Sequence, residues 1–114
     1  MDSTEINIDD SPEAVFQFML EQGWSDGLPV IPPTEDRVRA MLDHAQRDSS
    51  ELVGYINPDA GSATVEKIAV NAVMAGCLPE YMPVLIAAVK AITEPDFNIH
   101  GLQTTTNPVS PLLI

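Results

Sequence analysis

Thr64-Val65-Glu66-Lys67-Ile68-Ala69-Val70-Asn71-Ala72-Val73-Met74-Ala75-Gly76-Cys77-Leu78-Pro79-Glu80-Tyr81-Met82-Pro83-Val84 decides the fold. It reads as a helix, a break and a second helix. Ser62 or Thr64 is placed to cap the first of these, which runs from Val65 to Ala75 and closes at Gly76. Pro79 to Met82 reads as a tight turn, because Pro83 inside a helix would cost a hydrogen bond but suits a first helical position. The second helix then runs from Pro83 to Ile92, with Lys90 its only charge. Both helices are apolar almost all round, a pattern of helices that lie inside something larger.

Outward from this block the signals are local. Ser11-Pro12-Glu13 opens an earlier helix with an apolar stripe at Val15, Phe16, Met19 and Leu20, ended by Gly23. Trp24 to Pro33 holds three prolines and a glycine in ten residues, which forbid helix, so it reads as an ordered loop or a short extended segment. Thr34 caps a further helix with Glu35 and Asp36 in its first turn and Val38, Met41 and Leu42 on its apolar face. Leu52 to Ile56 fits a short strand, stopped by Asn57-Pro58-Asp59-Ala60-Gly61. After Pro95 the chain reads as extended over Asn98 to Thr106, and residues 107–114 read as a terminal strand that meets a partner. Residues 1–10 read as a flexible start. The expected class is α+β: about four helices and a few short strands in one domain or subunit, with the sheet completed by another chain or a further C-terminal half. The alternative is a compact monomer with its terminus tucked into its own core.

The chain has 114 residues, enough for one core without staples. Its 17 acids and 5 bases give a net charge of −12. The imbalance is uneven: residues 1–59 carry 13 acids and 3 bases, against 4 and 2 in residues 60–114. A field of that sign repels phosphate backbones and anionic lipid, which argues against nucleic acid and membrane surfaces as partners. No apolar run reaches spanning length and no basic signal segment opens the chain. One unpaired cysteine fits a reducing compartment, and the expected location is the cytoplasm.

That cysteine, Cys77, is the leading candidate for chemistry. Free amides and the dipole at a helix start favour a thiolate, whereas Glu80 and apolar neighbours oppose it. Cysteine is equally at home as a small buried hydrophobe. His100 could act on a thiol as a base, and Glu80 could handle protons. Asn71, on the third helix, is either a substrate-facing amide or a core hydrogen-bonding residue. Asp26 lies on rigid Pro/Gly-shaped backbone that either lines a site or only turns; Thr104 and Thr105 lie on another such loop. Glu66 and Lys67 are expected at the exposed start of their helix. Cys77, Glu80 and His100 offer three ligand types, but no metal-binding spacing links them, so no metal is assigned. No phosphate loop or Ser-His-Asp order is present, and no cofactor is identified.

Three blocks resemble a known group of proteins: Gly27-Leu28-Pro29-Val30-Ile31-Pro32-Pro33-Thr34, Ala63 to Val84, and Gly101-Leu102-Gln103-Thr104-Thr105. The chain resembles the N-terminal part of a poorly characterised bacterial family often encoded beside thiol- or selenol-containing redox-type proteins. The resemblance implies a Gly- and Asn-rich half beyond this sequence, as a separate subunit, a cleaved partner or a continuation.

The reading is therefore a subunit or N-terminal fragment of a multi-chain bacterial enzyme acting on a small molecule. Its partner would be another protein chain, identical or different. Cys77 would supply thiol-dependent redox, lyase or hydrolytic chemistry. The alternative is a non-catalytic structural subunit that completes the core of a catalytic partner. A stand-alone ligand-binding protein ranks below both.

Overall fold

A computed structural model describes residues 1–56 and 61–114. It is an α+β chain. In order come α1 (Pro12–Glu21), α2 (Glu35–Ala45), β1 (Leu52–Ile56), β2 (Gly61–Thr64), α3 (Val65–Met74), α4 (Met82–Ile92) and α5 (Ile99–Thr104). Short 3-10 turns cover Pro79–Tyr81 and Pro95–Phe97.

Two of the three expected caps are in place, while Thr34 occupies the N-cap position of α2 without a side-chain capping bond. The Ser11 hydroxyl accepts from Ala14 N–H at 3.1 Å, and the Thr64 hydroxyl accepts from Lys67 N–H at 3.3 Å. α1 and α3 end in the same way. Gly23 and Gly76 take positive φ of 69° and 79°. Each N–H, and that of the residue after it, then turns back onto the carbonyls of the last helical turn. Residues 79–81 form the tight turn expected before α4, with Pro83 near the start of that helix.

α3 is the centre of the core. Val65, Ile68, Ala69, Ala72 and Val73 pack with Val38, Met41 and Ala45 of α2 and with Met82 and Ile86 of α4. Met82 is fully buried. β1 and β2 form an antiparallel hairpin with Gly54 opposite Ala63 and Ile56 opposite Gly61; Val53 is the extra residue of a bulge between Leu52 and Gly54. The expected turn over Asn57 to Ala60 lies outside the described residues.

Four features differ from the sequence reading. Asn98 to Thr106 is not extended, because α5 occupies Ile99–Thr104. Asn98 adopts φ 56°, and its side chain accepts from Gly101 N–H at 3.2 Å, which starts that helix. Gly61–Thr64 is a strand as well as a lead-in to α3. Glu66, expected at an exposed helix start, is buried. Residues 107–114, read as a terminal strand, form no helix or strand within this chain and are exposed throughout.

α4 is covered on one side only. Met82 and Ile86 face the core, while Pro83, Val84, Ala87, Lys90 and Ala91 are exposed. Val84 keeps 55% of its surface in contact with solvent. The whole chain exposes 7983 Å², against about 6,100 Å² for a compact monomer of 12.3 kDa. Its radius of gyration is 15.0 Å, where a compact domain of this length has about 13 Å. The two ends contribute to the excess, because residues 1–10 and 103–114 are exposed at every position. No helix among the described residues is long and apolar enough to cross a membrane.

Candidate functional site

Cys77 is placed by the end of α3. Its N–H donates to Ala72 O at 2.9 Å, while Gly76 N–H donates to Val73 O at 2.9 Å. The amide that the helix-start reading left free is thus already used by the preceding helix. Leu78 continues extended into the 79–81 turn, and α4 begins only at Met82. Cys77 therefore lies in the link between two helices, behind the helix-ending glycine as expected, but outside any α-helical first turn.

The Cys77 side chain is half-buried and packs against the core cluster. It lines a groove of about 230 Å³ with Ile31, Arg37, Met41, Val73 and Pro79. Ile31 reaches the groove because its N–H donates to Met74 O at 3.2 Å, tying the Pro-rich loop to the end of α3. Arg37 bridges the same loop to α2 by donating to Pro32 O at 3.0 Å. The groove is smaller than the roughly 300–1,000 Å³ typical of small-molecule sites. Its one charged wall residue is Arg37, which the sequence reading did not single out.

The remaining candidates do not converge on Cys77. Glu80 is exposed on the 79–81 turn and is not among the groove's wall residues. His100 is exposed on α5, where its carbonyl accepts from the Thr104 hydroxyl at 2.9 Å. α5 packs strongly against no other element, so His100 and Thr104 stand apart from the groove. The Thr105 hydroxyl accepts from Asn107 N–H at 3.2 Å. Asn71 is exposed, and its amide donates to Lys67 O at 2.8 Å, one helical turn back. The core role considered for Asn71 is therefore set aside. Asp26 accepts from Leu28 N–H at 3.1 Å, and Ser25 braces the same bend, so Asp26 shapes a turn. Cys77, Glu80 and His100 belong to no cluster of three metal-ligating side chains among the described residues.

Glu66 is the buried charged residue, with 5% of its surface exposed. Its carboxylate accepts from the backbone N–H groups of Asp2 and Ser3, each at 3.1 Å. Burial pushes its pKa up, but the Ser3 side chain, these two amides and the nearby amino terminus outweigh that and hold it below the ordinary glutamate value. No local sequence pattern marks this arrangement, since the partners are more than sixty positions away.

Comparison with known protein families, curated proteins and solved structures finds no match to this chain.

Proposed function

We propose that the chain is a subunit or N-terminal fragment of a multi-chain bacterial enzyme acting on a small molecule, and that it contributes the Cys77 groove to a site finished by another chain. The observation that carries this reading is the bare apolar face of α4, from Val84 through Ala87 to Ala91, continued by exposed Leu78 and Tyr81 before it. Contiguous apolar surface of this kind is a mark of contact with other protein. The chemistry proposed at Cys77 is thiol-dependent, of redox, lyase or hydrolytic type. The likeness to a bacterial family encoded beside thiol- or selenol-containing proteins points the same way.

A second reading is a structural subunit that only completes the core of a catalytic partner. The separation of Glu80 and His100 from the Cys77 groove favours it. The native mass of the protein purified from its host, with all co-purifying chains identified, tests the common premise. An assembly larger than 12.3 kDa is expected. A lone monomer with a cooperative melt and no dye-binding apolar surface would overturn both readings. Within an assembly, Cys77→Ser abolishes turnover under the first reading and leaves it nearly unchanged under the second.

A further inference from the structure

Glu66 lies on the first turn of α3, and its two partners lie near the other end of the sequence. Oε2 accepts from Asp2 N–H and Oε1 from Ser3 N–H, both at 3.1 Å. Consecutive backbone donors thus take one carboxylate oxygen each. Charge-assisted bonds of this kind are stronger than neutral ones, and a buried carboxylate without partners is costly. Between these donors and α1 nothing comparable holds the chain: residues 4–10 are all exposed. α1 packs only lightly on the other elements, and Met19 is the residue it buries. The chain is tied to the core again at Ile31, through its N–H to Met74 O at 3.2 Å. Ahead of that tie, Gly23 and Gly27 take positive φ of 69° and 111°, bends at which the chain changes direction.

We infer that residues 1–24 form a strap, latched to the start of α3 by the Glu66 carboxylate and anchored at its other end through the Trp24–Ile31 loop. The latch is the releasable end, because it consists of two hydrogen bonds to one side chain. The anchor continues directly into α2 and the core.

Nitrogen-15 NMR relaxation on the full 114-residue chain tests this. Asp2 and Ser3 are expected to show positive heteronuclear NOEs at neutral pH, in contrast with a freely moving end. Glu66→Gln keeps the shape of the side chain but turns an amide N–H₂ toward one of the two donors. It should drive the NOEs of residues 2 and 3 negative while the cross-peaks of α2, α3 and α4 stay in place. Ser3→Pro removes the Ser3 amide donor and its hydroxyl from the strap side without touching a core residue, so it decides the matter even if Glu66→Gln folds poorly. It should drive the NOEs of Asp2 and Thr4 negative. Negative NOEs at Asp2 and Ser3 in the unaltered protein would overturn the inference, as would a rigid Asp2 in Ser3→Pro.

Discussion

Gly54→Ala should loosen the contact between the hairpin and the end of α4. A methyl group at Gly54 would clash with Thr93 Oγ1 and would lie 2.8 Å from its Cβ and 3.0 Å from its Cγ2. Rotating Thr93 about χ1 moves the first and last of these but not Cβ, whose position is set by the backbone. The same rotation would break the bonds that Thr93 Oγ1 donates to Val89 O at 2.8 Å and Lys90 O at 3.1 Å. Overpacking of this kind costs about 1–3 kcal/mol, and the lost hydrogen bonding about 1 more. Against this, alanine lowers the entropy of the unfolded chain by about 0.4–1 kcal/mol. The net expectation is a loss of about 1–3 kcal/mol, or roughly 5–15 °C in Tm for a domain of this size. Far-UV circular dichroism on heating and in urea reads both quantities. Adding Thr93→Gly removes all three clashing atoms and should recover part of the loss. A Gly54→Ala protein as stable as the parent, or more so, would refute the packing of β1 against the end of α4.

Three further perturbations probe the core, the Cys77 link and the latch. Gly76→Ala forces a side chain into a φ of 79° and should cost about 1–2 kcal/mol in urea unfolding, with faster reaction of Cys77 toward a thiol reagent as its link is displaced. Met82→Ala empties a site that is 0% exposed and should cost about 2–5 kcal/mol by the same assay. For Glu66, whose folded pKa is depressed below 4.5, the stabilising contribution is fully present at neutral pH. It is lost as the pH falls below that ordinary value and through the depressed one. The difference in urea midpoint between the parent and Glu66→Gln should therefore be constant near neutrality and shrink on acidification; a difference independent of pH would refute the role of the charge.

What was legible in the sequence was what local chemistry dictates. Ser11-Pro12, Thr34 and Thr64 mark helix starts because a short polar side chain, or a proline, suits those backbone positions whatever lies elsewhere in the fold. Gly23 and Gly76 mark helix ends because only a residue without Cβ enters positive φ freely. α5 was missed because Gly101 within six residues argues against a helix, whereas the start depends on Asn98 occupying φ 56° and bonding to that same glycine. Asn98 followed three positions later by a free N–H was the available signal. Glu66 was misread for a different reason: its helix position predicts exposure, and only donors 63 and 64 positions away reverse it. The site candidates fared according to the same division. Asp26 resolved into the turn that its Asp-Gly setting allows, while whether Cys77, Glu80 and His100 share a pocket depended on tertiary placement that spacing does not encode.

The two apolar helices read alike in sequence, yet the fold treats them differently. α3 meets α2, α4 and the hairpin with its apolar residues and leaves Lys67 and Asn71 on its exposed side, so its apolar surface is largely used within the chain. α4 is met by α2, α3 and β1 on one side, and its other side carries Val84, Ala87 and Ala91 with Lys90 as its only charge. That bare side begins where the Cys77 groove stops: Pro79 belongs to the groove wall, exposed Tyr81 follows two residues later, and Val84 lies on the next turn. Anything that covers α4 and extends over Tyr81 and exposed Leu78 would also add a wall beside Cys77. A groove of about 230 Å³ could then reach ligand-sized volume without rearrangement of this chain. The apolar face and the thiol are thus coupled by position, and thiol reactivity measured with the α4 face covered and uncovered would report on both.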